Sequence, residues 1–334
     1  MKKFLALTMA LCMIFAMCAF SASADEPITL TYAEVNPLEG TIVGAMAKAF
    51  KEKVEELSGG SVIIDIQASG VLGSEDQILD NLLGGGNICD ISRISAFALT
   101  QYGCDKASLL SIPYTFVDED HFWKFADSEL AQEFLNEPQE LNPRLPLRGL
   151  CYGEEGFRHF FFKNEVKGLD DLKGLKIRVS SDPVMTGMVT NLGASATTVP
   201  FTDLYSNLQT GVVDGAEQPT ANYFSNAFHE VAPYLLLDGH TLGALQIVIS
   251  DAGWAKLNEE QQGWIMEAAK YASSVCREKV AEIEGETFDK LAAAGATVIP
   301  VEDKSPWVEA CQPTIKANTE KLADLYQQIL DMAK

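Results

Sequence analysis

In the first third of the chain, two kinds of hydrophobic pattern alternate. In one, apolar residues recur at every second position, as in β-strands, and in the other they recur with the period of an α-helix. Strands are predicted at 28–33, 61–67 and 89–93, and amphipathic helices at 41–57 and 75–83. This alternation indicates a parallel α/β sheet, because each helix carries the chain back before the next parallel strand begins. Ligands of such sheets bind beyond the carboxyl ends of the strands.

The same alternation resumes later and predicts a second α/β unit. A helical pattern at 259–291 is unusually long, about 50 Å at ~1.5 Å per residue, and suits a brace between two lobes. No linker rich in Gly, Pro or Ser separates the two units, so we expect intertwined lobes. The predicted strands of this part are 146–152, 175–179, 196–199 and 245–250, and the predicted helices are 118–136, 183–192, 202–209 and one near Pro219.

The length of the chain also favours two lobes. Single hydrophobic cores stop growing at about 250–300 residues, and this chain has 334. We expect an α/β fold in which lobe 1 comprises 25–154 and 244–283, and lobe 2 comprises 155–243 and 284–334.

The amino terminus is typical of a secretory signal peptide. Two lysines precede an uncharged apolar run at 4–20, and the small residues Ala22 and Ala24 fit a signal-peptidase site. We expect residues 1–24 to be removed after Ala24. A lipid anchor on Cys18 is an open alternative.

The charge of the chain restricts its partners. The full chain has a net charge of −22, and loss of two lysines with the signal makes it −24. Such a charge disfavours nucleic acid and anionic lipid, because both are polyanions. No stretch after the signal is both long and apolar enough to cross a bilayer. The expected product is an exported, periplasmic monomer.

Motifs for catalysis are weak. Cys151 has the spacing of a nucleophile elbow but lacks the helix that must follow, so a buried strand cysteine is the favoured interpretation. The four histidines have no metal-binding spacing, and no phosphate loop occurs, so neither a metal nor a cofactor is expected. Free thiols are favoured over a disulfide for the five cysteines after the signal, which are Cys89, Cys104, Cys151, Cys276 and Cys311.

Two arginines, Arg158 and Arg178, lie among apolar residues in or beside predicted strands. A buried guanidinium must find a partner, because burial of an unpaired charge is costly. One interpretation is an internal salt bridge. The other is a wet cleft in which the planar fork of donors binds the carboxylate of a ligand.

Three segments carry a family resemblance. DLKGLKIRV at 171–179, LGASATTVPF at 192–201 and YSNLQTGVVDGAE at 205–217 resemble, in order and spacing, the signatures of the substrate-binding proteins of tripartite ATP-independent periplasmic (TRAP) transporters. The similarity extends over nearly the whole chain after the signal.

The resemblance implies a type II-like periplasmic binding protein. Its two lobes would be joined by crossing hinge strands, braced by a long helix, and close around a ligand. Arg178 would be the carboxylate clamp and Arg158 the second arginine, with Glu217 and Gln218 as an acid–amide pair and Phe201 lining the pocket. Most relatives have Asn where this chain has Gln218, so the detailed pocket shape stays open.

A segment of the first lobe bears on which ligand the resemblance implies. The segment around Arg93 resembles that of sugar-acid binders, including those for hexuronates, and Ser95 replaces the Glu typical of sialic-acid binders. Phe97 or Tyr152 would cover a sugar face. The residues expected to bind sugar hydroxyls are Asn36, Glu75, Glu217, Gln218 and His240.

A uronate-like monocarboxylic sugar acid is therefore the leading ligand, and a C4-dicarboxylate or an aromatic keto acid is the alternative. The resemblance implies delivery of that ligand to integral-membrane TRAP permease subunits. A sensor of the same fold remains an alternative, and an exported enzyme is the least favoured one.

Overall fold

A computed structural model describes residues 26–334, so the predicted signal peptide, its cleavage site and Cys18 lie outside the described residues. The strands of the described part are β1 (Ile28–Ala33), β2 (Val62–Gln67), β3 (Ile91–Ser95), β4 (Leu147–Phe162), β5 (Lys176–Val179), β6 (Ser195–Thr198), β7 (Gly215–Pro219), β8 (Tyr234–Ser250) and β9 (Thr297–Pro300). Its α-helices are α1 (Ile42–Leu57), α2 (Glu75–Leu83), α3 (Glu119–Ala126), α4 (Glu129–Glu140), α5 (Pro183–Asn191), α6 (Leu204–Thr210), α7 (Thr220–Ser225), α8 (Phe228–Val231), α9 (Asp251–Ala255), α10 (Glu259–Ala294), α11 (Ser305–Thr319) and α12 (Ala323–Asp331).

These strands form one sheet in the order β2-β1-β3-β8-β4-β7-β5-β6, with β9 pairing to β8. Strand β1 is parallel to β2 and β3, and β5 is parallel to β6 and β7. Strands β4 and β8 are antiparallel to each other and lie between these two parallel groups. The α/β prediction is confirmed, and each parallel group belongs to one lobe.

The two central strands cross between the lobes. Strand β8 pairs with β3 through Leu245–Ile249 and with β9 through Tyr234–Leu237. Strand β4 pairs with β7 through Arg158–Phe162. The predictions 146–152 and 245–250 were too short, because the charged residues and glycines beyond them look like loops but are buried within strands.

Strand β4 bends where it passes between the lobes. Its pairing with β8 shifts register between Glu154 and Phe157, and Gly156 there has a φ of +81°. Glycine adopts this left-handed conformation without the steric cost that a side chain brings. The bulge therefore lies where a hinge must bend.

Helix α10 is the long brace that the sequence predicted, with 36 residues and a length of about 54 Å at ~1.5 Å per residue. It begins with a capping box in which Asn258 Oδ1 accepts from the Gln261 backbone N–H and the Gln261 side chain accepts from that of Asn258, both at 2.9 Å. Gly295, with a φ of +78°, ends it. The helix packs against α1 and α7 and so contacts both lobes. Between residues 26 and 334, no helix combines the length and apolarity that a bilayer span requires.

Two local predictions were wrong in their limits. The helix predicted at 118–136 is two helices, because the Ser128 hydroxyl accepts from the Ala131 backbone at 3.2 Å and starts α4 as a new helix. Strand β3 begins two residues later than predicted, where its pairing with β8 begins at Ile91. The helix predicted near Pro219 is α7, and the short strand β7, which was not predicted, precedes it.

Each lobe has its own apolar core. Phe50 of α1 and Ile265 of α10 are buried in one, and Met188 of α5 and Trp307 of α11 in another. The five cysteines of the described residues are free and buried, as predicted. The lobe boundaries given above stay a prediction.

Candidate functional site

A cleft lies between the lobes at the carboxyl ends of the parallel strands. The space in this cleft that holds no protein atoms, its mouth included, is about 590 Å³, which lies in the range of small-molecule binding sites. Eight of the ten residues predicted for the site line the cleft, namely Asn36, Glu75, Arg93, Ser95, Arg158, Arg178, Phe201 and Gln218.

The other predicted residues lie behind the cleft wall. Glu217 and His240 are completely buried and do not line the cleft. Of the two aromatic candidates, Phe97 lines the cleft. Tyr152 packs in the core of lobe 1, with its ring centroid 5.8 Å from that of Phe125, and so is not a cleft residue.

The cleft is closed by hydrogen bonds between its two sides. The Ser181 hydroxyl donates to Asp76 Oδ2 at 2.7 Å, and Asn226 Nδ2 donates to Asn36 Oδ1 at 3.0 Å. Asp76 begins α2 of lobe 1 and Asn36 follows β1, whereas Ser181 and Asn226 follow β5 and α7. The structure is therefore a closed form of the hinged fold.

Arg93 is neutralised by a protein carboxylate. Its Nε donates to Glu34 Oε2 at 2.8 Å and its Nη2 donates to Glu34 Oε1, so the pair is two-pronged and almost fully buried. A second carboxylate, Glu75 Oε2, lies 3.7 Å from Nη1. Burial alone lowers the pKa of Arg93, but the Glu34 carboxylate outweighs it and holds that pKa above its usual value.

Arg158 is neutralised in the same way. Its Nε and Nη2 donate to the two oxygens of Glu217 at 2.5 and 3.1 Å, and its Nη1 lies 3.4 Å from Glu155 Oε1. Burial opposes ionisation of Glu217, but Arg158 and the adjacent His240 hold its pKa down at about 2. Glu217 therefore fixes the position of Arg158 from behind the cleft wall.

His240 extends this buried network. Its Nδ1 is 2.7 Å from Asp238 Oδ2 and its Nε2 is 3.6 Å from Glu217 Oε2. Burial lowers the pKa of His240, but the two carboxylates more than compensate and raise it to about 9. The imidazole of His240 thus lies beneath the cleft wall between two carboxylates, one of which holds Arg158.

Arg178 differs from both other arginines. Its Nε donates to the Val199 carbonyl at 2.9 Å, while its buried Nη1 has no hydrogen-bond partner among residues 26–334. No carboxylate of the described residues lies within salt-bridge distance of its guanidinium, which is 5.9 Å from the Phe201 ring centroid. Burial without a close counter-charge lowers the pKa of Arg178 to about 10. Internal pairing, one of the two interpretations of the sequence, therefore holds for Arg158. Arg178 has no such partner among the described residues, and its role as a carboxylate clamp stays a prediction.

Sequence reasoning missed several cleft residues. Asp76, Glu155, Ser181 and Asn222 line the cleft but were not predicted. Glu155 and Asn222 are 3% and 1% exposed, and Asn222 Nδ2 donates to Glu155 Oε2 at 2.8 Å. An acid within an apolar strand was the available signal for Glu155, and the same burial argument that singled out the arginines applies to it.

Cys151 is not an activated nucleophile. It lies within β4, and burial raises the pKa of its thiol to about 12. The reactive form of cysteine is the thiolate, which such a pKa excludes near neutral pH. The buried strand cysteine favoured from the sequence is the correct interpretation.

Two α/β lobes, crossing hinge strands and a closed cleft with an unpaired arginine define a two-lobed solute-binding protein. The chain belongs to the DctP family of bacterial extracellular solute-binding proteins, family 7, whose model matches residues 32–322. It is a binding protein and not an enzyme.

Solved structures and a curated relative agree with this assignment. A TRAP periplasmic solute-binding protein from Pseudomonas putida F1, with bound D-glucuronate, has a TM-score of 0.85 and 29% identity, covering 90% of this chain and 96% of that one. One from Bradyrhizobium sp. BTAi1, in complex with D-galacturonate, has a TM-score of 0.84 and 30% identity, covering 91% and 99%. The 2,3-diketo-L-gulonate-binding periplasmic protein of Escherichia coli K12 is 28% identical over 300 residues, 89% of this chain and 88% of that protein.

Proposed function

We propose that this protein captures a monocarboxylic sugar acid of the hexuronate type and delivers it to TRAP permease subunits in the membrane. Arg178 binds the carboxylate of the ligand in two-pronged geometry. The observation that carries the proposal is the unpaired, buried guanidinium of Arg178 at the wall of a closed cleft. A ligand carboxylate supplies the counter-charge that the described residues do not.

The charges around the cleft favour a single carboxylate. Arg93 and Arg158 already have carboxylate partners, so Arg178 is the arginine left to bind an anion among the cleft residues described. Glu75, Asp76 and Glu155 also line the cleft, and their charges oppose a second ligand carboxylate. A C4-dicarboxylate is thereby disfavoured.

Polar side chains of both lobes suit hydroxyl groups. Asn36, Ser95 and Gln218 line the same cleft as Glu75 and offer both donors and acceptors. Glucuronate and galacturonate bind the two solved relatives at 29% and 30% identity, which supports the same ligand class here. The apolar face of a pyranose ring would pack on Phe97 or Phe201.

The family supports an extracytoplasmic location. We propose that residues 1–24 direct export and are removed, and that the protein acts as a monomer in the periplasm. Closure of the lobes gives the permease a surface that differs between the loaded and the empty protein.

A thermal-shift panel tests the ligand class. The protein without residues 1–24 is heated with D-glucuronate, D-galacturonate, succinate, phenylpyruvate and neutral glucose. A ligand that binds only the folded state raises the melting temperature, so we expect shifts with the hexuronates that exceed those with succinate and phenylpyruvate, and none with glucose. Stabilisation by succinate or phenylpyruvate alone would refute the proposed ligand.

A further inference from the structure

Asn222 presents a second unpaired polar atom at the cleft wall. Its Oδ1 is buried and accepts no hydrogen bond from any residue between 26 and 334. Its Nδ2 donates to Glu155 Oε2 at 2.8 Å. Turning the amide over would bring its oxygen against that carboxylate, so Glu155 fixes the amide with the oxygen available as an acceptor.

Arg178 and Asn222 offer a ligand a hydrogen-bond donor and a hydrogen-bond acceptor, respectively. Arg178 Nη1 is a buried donor in need of an acceptor, and Asn222 Oδ1 is a buried acceptor in need of a donor. Both residues line one cleft. We infer that Asn222 Oδ1 accepts a hydrogen bond from a hydroxyl group of the ligand, an inference that rests on the proposed function. Asn222 would thereby select hydroxylated monocarboxylates over acids that have no hydrogen-bond donor.

The chemistry of the alternatives favours a hydroxyl group. Ionised carboxylates and ketones offer acceptors alone, so a dicarboxylate or a keto acid leaves Asn222 Oδ1 without a partner. An ammonium group is also a donor, and the acidic residues of the cleft would attract it, so 2-amino acids are included in the test. The hydroxyl is preferred because the hexuronates bound by the two solved relatives carry hydroxyl groups and no ammonium group.

A double-mutant cycle between protein and ligand tests the inference. Isothermal titration gives the Kd of D-glucuronate and of its 2-, 3- and 4-deoxy analogues for wild type, Asn222→Ala and the control Ser225→Ala. Ser225 lies on the same helix, and among the described residues its hydroxyl forms hydrogen bonds only with the Asn222 carbonyl, at 3.4 Å, and the Asn226 side chain, at 3.5 Å. Loss of one hydrogen bond corresponds to a change of roughly tenfold.

We expect one deoxy analogue to bind wild type about tenfold more weakly than D-glucuronate does. Asn222→Ala should weaken the binding of D-glucuronate by a similar factor. It should leave the affinity for that analogue unchanged, because the analogue lacks the hydroxyl that forms the hydrogen bond with Asn222. Unchanged binding of that analogue also demonstrates that the variant is folded. Ser225→Ala should bind all four ligands like wild type.

Two results would overturn the inference while the proposed function stands. In one, Asn222→Ala loses affinity for all four ligands by the same factor. In the other, Asn222→Ala binds all four ligands as tightly as wild type does. Tighter binding of 2-amino acids than of hexuronates by wild type would replace the hydroxyl with an ammonium group. Failure of wild type to bind any hexuronate, or hexuronate binding that survives Arg178→Ala unchanged, would instead overturn the proposed function.

Discussion

Replacement of Arg178 should raise the stability of the empty protein while it destroys binding. Burial holds the pKa of Arg178 below its ordinary value, at about 10, which corresponds to a cost of ~3 kcal/mol for holding the charged side chain in the ligand-free cleft. Because the folded-state pKa lies below the unfolded one, this cost is fully present below pH 10 and is lost progressively as the pH rises from 10 to the unfolded value. Arg178→Met keeps much of the side-chain volume and removes the charge.

We expect Arg178→Met to increase the free energy of unfolding without ligand by roughly 1–3 kcal/mol, measured by urea denaturation at pH 7. The same variant should lose about 2–5 kcal/mol of binding energy for D-glucuronate, because the ligand carboxylate is left unpaired. Arg178→Lys should bind weakly as well, since an ammonium cannot reproduce the two-pronged geometry. Arg277→Met, on the exposed face of α10, is the matched control and should change neither quantity by much.

A destabilised Arg178→Met with unchanged affinity would refute this reasoning. That result would mean that the guanidinium is a structural group whose partner is the protein, as for Arg93. Lower stability combined with lost binding would refute the stated cost of the empty site but keep the clamp.

Glu217→Gln should destabilise the protein by about 3–5 kcal/mol in urea denaturation, because Arg158 then loses the carboxylate that neutralises it; an effect below 1 kcal/mol would contradict the pairing. His240, with its pKa raised to about 9, adds stability that is complete below pH 6.5 and is lost as the pH rises through 9. His240→Gln should therefore flatten the decline in stability between pH 6.5 and 9, and an unchanged slope would mean that His240 is neutral in the folded protein. The five cysteines after the signal should resist a thiol reagent in the native protein and react in urea, because all five are buried; rapid labelling of the native protein would contradict that burial.

Much of the fold was predictable because local hydrophobic patterns indicate where its strands and helices lie. The strand–helix alternation of the first lobe and the helix at 259–291 gave the sheet type and the brace correctly. The crossing strands were recognised only in part, since Glu154, Glu155 and Asp238 have the composition of loops. Their burial is possible only because distant residues pair with them, as the Phe160 backbone N–H does with Asp238 at 3.0 Å.

Most residues predicted for the site line one cleft, but the pairing of their charges could not be predicted from the sequence. The sequence placed Arg93, Arg158 and Arg178 together, yet only the folded chain determines which of them a carboxylate neutralises. Glu34 lies 59 positions before Arg93, and Glu217 lies 59 positions after Arg158. A local sequence pattern cannot identify partners that are so far apart in the chain. Whether an arginine is paired with a carboxylate is therefore determined by the tertiary structure.

Strand β8 ends at Ser250 and takes part in both halves of the sheet, between β3 and β4 in one and between β4 and β9 in the other. During synthesis, neither lobe can be completed until about three quarters of the chain has left the ribosome. A polypeptide that must pass a translocation channel in extended form benefits from such a delay. For the export proposed above, the interlaced topology would be an advantage in addition to its role in hinge motion, because neither lobe can be completed while most of the chain is still being made.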